Sequence, residues 1–321
     1  MKVGETIRVN DYTFSIVRKI AEGGMGAVYE ANQNGALGFK KRMAIKTILA
    51  DLGSDPEYEE MFIGEAKLAA NLIHPNIVQL YHLGKVDEAG RKMRYMALEL
   101  VDGITLYDFM KRHRERNQQV PYEISAFIAS RICRALDYAH TKTDDDGRQL
   151  GIVHRDCTPK NIMIDRRGVV KLTDFGAAKA RHFLKNQEGQ ILVGKIAYMS
   201  PEQAAFKQTD GRTDVFSLGI VLWECVTAKN LFDEGDTRVG LEAVQSKKVE
   251  NPSKYTANMP KMLEDIILKA LQRPLEKRYK NAAEMGKELE SYLYHDRFGV
   301  NDDTLNRYLK RVFPEIYGTA V

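Results

Sequence analysis

Cysteine is scarce in this chain: Cys133, Cys157 and Cys225 are the only three among 321 residues. They stand far apart and form no Cys-x-x-Cys, which excludes a disulfide-stapled scaffold and a cysteine zinc site and points to a reducing cytoplasm. Long apolar runs are missing as well. The longest, around GIVLWECV, falls well short of the roughly 20 residues that cross a bilayer. The opening residues MKVGETIRVNDYTF lack a basic region followed by an apolar one, so neither secretion nor a membrane span is expected. There is little excess of charge of one sign: 48 basic and 44 acidic residues are mixed along the chain, for a formal net charge of +4. No basic stripe of the kind that nucleic acids attract results, although a mildly basic cleft for an anionic ligand is compatible. Internal repeats and low-complexity tracts are absent too. What is present, 44% hydrophobic and 29% charged residues, is ordinary for a globular protein with one or two cores.

Two textures follow each other along the chain. Up to about residue 100, short β-branched runs alternate with turns, and RMAIKTI, IVQLYHLG and MRYMALEL read as strands. From about Gly103 onward the pattern is mostly helical, with ISAFIASRICRALDYAH and TDVFSLGIVLWECVTA the clearest segments. The second is apolar nearly all round, which predicts a helix buried inside its lobe. A strand-rich part followed by a larger helical part is an α+β arrangement, and a cleft between two such lobes is a common ligand site.

The stretch KIAEGGMGAVYEA sets three glycines between strand-like runs. A dinucleotide fingerprint would open a helix there, whereas AVYEA favours a strand. A glycine hairpin remains, either a plain turn or one whose backbone N–H groups approach an anion. On RMAIKTI, the strand period puts Ala44, Lys46 and Ile48 on one face and Met43, Ile45 and Thr47 on the other. SDPEYEEMFIGEAKLAANLIHPN is predicted to be a helix, with Asp55 as N-cap and Pro56 in the first turn. Tyr58, Met61, Phe62, Ala69 and Leu72 share one arc of it, and Glu65 falls inside that arc. A carboxylate in a buried stripe needs a partner, and Lys46 is the natural one.

Further along, LGIVHRDCTPKNIMI holds His154, Arg155 and Asp156 with Asn161 five residues after the aspartate, and KLTDFGAAK supplies Asp174, Phe175 and Gly176. Together with the glycine hairpin, Lys46 and Glu65, this set resembles the eukaryotic-like serine/threonine protein kinases of bacteria. MSPEQ at Met199 to Gln203 and TDVFSLG at Thr213 to Gly219 extend the likeness, which covers roughly Ile7 to Leu293. The resemblance implies an α+β, bilobal protein-kinase-like fold: a small β-rich N-lobe (1–101), a larger helical C-lobe (102–295) and a C-terminal helical extension (296–321). It implies transfer of the ATP γ-phosphate to serine or threonine hydroxyls of protein substrates, with Mg2+, in cytoplasmic signalling.

Carried over residue by residue, the resemblance gives Lys46 the α- and β-phosphates, with Glu65 directing it. Asp174 and Asn161 would ligate Mg2+, and Asp156 would orient the substrate hydroxyl and accept its proton. Ile20, Gly23, Gly24 and Gly26 belong to the nucleotide-binding set, the glycines closing over the phosphates. Val28, Ala44 and Met163 would sandwich adenine, whose edge backbone groups of Glu99 and Val101 would read, with Leu98 as gatekeeper. His154 and Phe175 would serve packing, Glu202 and Arg278 would form a buried pair, and Asp214 would be either an N-cap or a brace beneath the catalytic loop.

Three departures stand out. Ala21 replaces the first glycine of the loop. Thr158 replaces a lysine two residues after Asp156, while Lys160 supplies a cation two positions later, as a stand-in at the γ-phosphate. From Ala177 to Ala197 there is no serine or threonine, and Lys195 stands where a threonine is usual. Arg155 would then lack a phosphorylated partner, so activity independent of loop phosphorylation is expected, with Glu188 as a weaker fixed charge. Pro159, and the lack of tryptophan in GKIAYMSPE, favour serine/threonine over tyrosine. A pseudokinase scaffold and a small-molecule kinase are the competing readings. In the tail, Leu305, Tyr308, Leu309 and Val312 recur at helical spacing before Pro314, predicting a helix that packs on the large lobe or offers a docking surface.

Overall fold

The computed structural model describes residues 2–9, 12–23, 26–48, 56–88, 91–175, 196–295 and 299–318. The chain divides into two compact units, Met1–Ile73 with Val78–Val101, and His74–Ile77 with Asp102–Val321.

In the first unit, β1 (Thr6–Val9), β2 (Tyr12–Glu22), β3 (Gly26–Asn34), β4 (Lys40–Ile48), β5 (Leu80–Glu88) and β6 (Arg91–Glu99) make a sheet in the order β1-β2-β3-β4-β6-β5, all neighbours antiparallel. Strand β4 shows why the alternation is so regular: it divides its apolar residues between two cores. Met43 and Ile45 join Phe14, Tyr29, Tyr95 and Ala97 on one side, while Ile48 joins Phe62, Ala66, Leu80 and Met96 on the other. The second cluster is where helix α1 (Pro56–Ala70) packs on β4 and β5. Phe62, Glu65, Ala66 and Leu72 are buried, whereas Tyr58, Met61 and Ala69 are half-buried. Asp55, expected as the cap, lies outside the described residues.

In the second unit, β7 (Gly103–Thr105), β8 (Ile162–Asp165) and β9 (Val170–Leu172) form a small antiparallel sheet. The same unit contains α2 (Leu106–Glu115), α3 (Tyr122–His140), α4 (Pro201–Ala204), α5 (Arg212–Thr227), α6 (Thr237–Ser246), α7 (Lys261–Ala270), α8 (Ala282–Tyr294) and α9 (Asp302–Val312), of which α2 and α3 pack on the sheet. Every residue of α5 from Thr213 to Thr227 is buried, as its all-round apolarity predicts. The short segment 74–77 goes with this unit because its partners are there. Asn76 donates from Nδ2 to Val170 O at 2.8 Å, Leu172 N–H donates to Asn76 O at 2.8 Å, and His74 stacks on Tyr138. Among the described residues, no helix is long and apolar enough to cross a membrane.

Candidate active site

The first unit assembles one group of candidates on a single sheet face. Val28 sits opposite Lys46 and Lys46 opposite Met96, while Ala44 sits opposite Leu98. Residues directly opposite in antiparallel strands project to the same side, so Val28, Ala44, Lys46 and Leu98 line one surface. Lys46 Nζ donates to Glu65 Oε1 at 2.5 Å, with the Glu65 side chain 4% exposed and that of Lys46 14%. Burial accounts for the pairing, since either charge alone would be left in a poorly solvated place. At the hairpin, Gly23 N–H donates to Gly26 O at 2.9 Å. A Cβ on Gly26 would stand 2.3 Å from Thr47 O, so only glycine lets β3 approach β4 there. Ile20 lies at an irregularity of β2 and is 40% exposed. Gly24 lies outside the described residues. Glu99 N–H donates to Gln79 O at 2.8 Å, and Val101, half-buried, closes the unit.

The second unit builds the other group on the loop between α3 and β8. His154 is fully buried. Its Nδ1 accepts from Asp156 N–H at 3.2 Å, so Nε2 carries the proton and donates to Thr173 O at 2.9 Å. Phe175 packs edge-on against the same ring. His154 thereby ties the loop bearing Asp156 to the segment bearing Asp174. Asn161 Nδ2 donates to Asp156 O at 2.8 Å, and Thr173 N–H donates to Asn161 O at 2.9 Å, closing the knot. Arg155 and Asp174 both hold φ of 62°, in the left-handed region that side-chain-bearing residues seldom adopt. Two such residues, one on each of the two tied segments, are strain kept in place by the surroundings. Lys160 lies on the 3-10 turn Pro159–Asn161 with its Nζ 5.3 Å from the Tyr107 ring centroid, while Thr158 is buried. Met163 is half-buried on β8, opposite Thr105.

Asp214, wholly buried on α5, is what the loop rests on. Its Oδ2 accepts from His154 N–H at 2.8 Å and from His140 Nε2 at 2.8 Å, and its Oδ1 accepts from Arg155 N–H at 2.7 Å. Burial opposes its ionisation, but these hydrogen bonds and the neighbouring histidines outweigh it and hold the carboxyl below its usual range. Gly211, not Asp214, is the N-cap of α5, so of the two roles open to Asp214 the structure displays the brace. Glu202 and Arg278 form a two-pronged buried pair at 2.8 and 3.2 Å, and Thr213 Oγ1 donates to Glu202 Oε1 at 2.8 Å.

The donor set suits magnesium. A carboxylate at Asp174 and an amide oxygen at Asn161 are hard ligands on adjacent, mutually bonded segments, and Mg2+ takes few protein ligands when phosphates complete its shell. Among the described residues no cluster of three or more His, Cys, Asp or Glu could hold a metal by itself.

Residues 14–289 match the protein kinase domain family. The chain belongs to that family. Curated relatives of this kinase domain include the tyrosine-protein kinase MasK of Myxococcus xanthus, 35% identical across 94% of this chain and 46% of the relative. The serine/threonine-protein kinase PknB of Mycolicibacterium smegmatis is 36% identical across 83% of this chain and 41% of the relative. The serine/threonine-protein kinase PrkC of Bacillus subtilis is 34% identical across 91% and 42%. The chain spans less than half the length of these relatives. The crystal structure of the Mycobacterium tuberculosis PknI kinase domain shares its fold, with a TM-score of 0.64 at 24% identity over 91% of this chain and 98% of that one.

Several contacts that organise this kinase domain carry no signal in the sequence. His140 ends α3 as an ordinary helix residue, yet it reaches Asp214. Gln203 donates to Arg155 O at 3.0 Å, and Thr209 Oγ1 accepts from Arg155 Nε at 3.1 Å. Tyr198 donates to Glu224 at 2.8 Å, deep on α5. Residues 177–195, Glu188 among them, lie outside the described residues, as does Gly176.

Proposed function

We propose that this chain transfers the γ-phosphate of Mg-ATP to serine or threonine hydroxyls of protein substrates, as a signalling kinase of the bacterial cytoplasm. In this reading residues 1–101 supply the nucleotide lid and Lys46, 102–295 the catalytic and substrate-binding residues, and 296–321 a helical extension. Lys46, aimed by Glu65, neutralises the α- and β-phosphates. Ile20, Gly23, Gly24 and Gly26 cover them, while Val28, Ala44, Leu98, Glu99, Val101 and Met163 receive the base. Asp174 and Asn161 hold Mg2+, which supplies charge neutralisation of the transferred phosphoryl group. Asp156 orients the acceptor hydroxyl and takes its proton, and Lys160 stands in for the lysine absent at Thr158.

The observation that carries this reading is the tied loop: Asp156 is held half-buried between His154 and Asn161, on a backbone braced by Asp214. Positioning of this kind is what phosphoryl transfer asks of a protein. Buried, unpaired cysteines are compatible with the cytoplasm. The test is labelled-phosphate transfer to casein by the parent chain, abolished by Asp156→Asn and by Lys46→Met and reduced by Lys160→Ala. Transfer to small alcohols alone, or none at all, would overturn it.

Tyrosine as acceptor is a second reading. The 35% identity to the tyrosine-protein kinase MasK and the replacement of the usual lysine by Thr158 favour it, and phosphoamino-acid analysis of the product separates the two.

A further inference from the structure

The segment after α8 lies beyond the matched kinase domain, yet it is built into the second unit like core. Leu305 and Leu309 are wholly buried, and Val312 and Phe313 nearly so. On one side α9 and the turn after it grip α2. Phe313 stacks on Phe109, Tyr308 O–H donates to His113 Nε2 at 2.7 Å, and His113 Nδ1–H donates to Phe109 O. Arg112 spans to Val312 O at 3.1 Å and to Glu315 at 2.7 Å. On the other side the segment reaches the β8–β9 turn. Gly168, at φ 86°, presses so close that a Cβ there would stand 2.0 Å from Asp302 O. Asn306 Nδ2 and Tyr317 O–H, the latter at 2.7 Å, both donate to the carbonyl of Arg166.

Arg166 passes that restraint on. Its N–H donates to Asp102 O at 3.0 Å and its guanidinium lies 3.2 Å from the Asp102 carboxylate. Asp102 follows Val101 directly and leads into β7, which pairs with β8 at Thr105 and Met163. At Gly103 the approach is so tight that a Cβ would meet Ile164 O at 1.9 Å, so β7 cannot shift independently of β8. Met163, on β8, is assigned to adenine under the proposed function, on which the following rests.

We infer that Asn306 and Tyr317 are positioning residues for nucleotide binding: through the Arg166 carbonyl they hold β8, with Asp102 and β7 bonded to it, in the register that presents Met163 to adenine. Neither touches the nucleotide. Their loss therefore weakens nucleotide affinity while the phosphoryl-transfer step is spared.

The test uses the full chain carrying Asn306→Leu with Tyr317→Phe, which removes both donors and keeps the apolar packing of α9. The calorimetric Kd for ADP and the KM for ATP are expected to rise roughly threefold to tenfold, with kcat within about twofold, as befits two hydrogen bonds of ordinary net strength. Tyr317→Phe alone, a surface change that spares α9, gives a smaller rise, and Arg307→Ala on the same helix gives none. An unchanged Kd in the double variant beside normal binding by the parent overturns this inference alone, as does a fall in kcat and melting temperature with Kd intact. A parent that binds no ADP overturns the proposed function, and this inference with it.

Discussion

The two ends of helix α5 bury a carboxylate each, and the same burial has opposite outcomes. At the amino end Asp214 stays below its usual range, held by two backbone N–H groups, His140 and the favourable end of the helix dipole. At the carboxyl end Glu224 is pushed up by burial to about 6. It accepts from Tyr198 O–H at 2.8 Å and from Leu231 N–H at 3.1 Å, while Arg114 is no nearer than 3.5 Å and the helix dipole is unfavourable there. Burial alone therefore does not decide whether an acid remains charged. The donors aimed at it do.

That contrast can be broken at several points. Arg278→Ala should have the largest effect, because it leaves Glu202 buried without its cation, and urea unfolding should show a loss of about 3–5 kcal/mol. A loss below about 1 kcal/mol would mean that the pair is replaceable by water. Asp214→Asn comes next, since the N–H groups of His154 and Arg155 lose a charged acceptor. We expect about 1.5–3 kcal/mol less stability and a matching fall in kcat.

Glu224→Gln sharpens the contrast through pH. The folded carboxyl near 6 binds a proton more tightly than the unfolded one at its ordinary 4.5. Stability contributed by this group is thus greatest below about 4.5 and declines as pH rises through 6, by about 2 kcal/mol in all. The variant should lose that decline, so the stability difference between parent and variant should change sign or shrink between pH 7.5 and 5. Asp214 works the other way, contributing fully at neutral pH and losing its contribution only below about pH 4. Lys111→Ala should matter least. Its pair with Glu115 is 3.9 Å apart and mostly exposed, so a change above about 0.5 kcal/mol would be unexpected.

How much of this was legible beforehand differs from element to element. The pairing of Lys46 with Glu65 could be anticipated because strand period and helix arc each place one charge among apolar neighbours, and each needs the other. Strand β4 and helices α1, α3 and α5 were readable for the same reason. Strand β5 begins at Leu80 rather than Ile77, because residues 74–77 bond to β9 and Tyr138 of the second unit. Local alternation cannot report such long-range partners. The helical spacing of Leu305, Tyr308, Leu309 and Val312 was plain, but not that its apolar side would meet Phe109 and His113 on a helix some two hundred positions earlier.

By itself, the order of residues determined which segments would be strands or helices, and which residue types suited to phosphoryl transfer stood at which spacing, because both depend on local periodicity and on side-chain chemistry. Only the tertiary structure decided that Asp214 braces the loop instead of capping its helix, that Glu224 is driven toward its neutral form, and that the tail is tied to Arg166. Those outcomes depend on which donors and acceptors folding brings within about 3 Å of one another, and directional hydrogen bonds in a poorly solvated interior are set by three-dimensional placement.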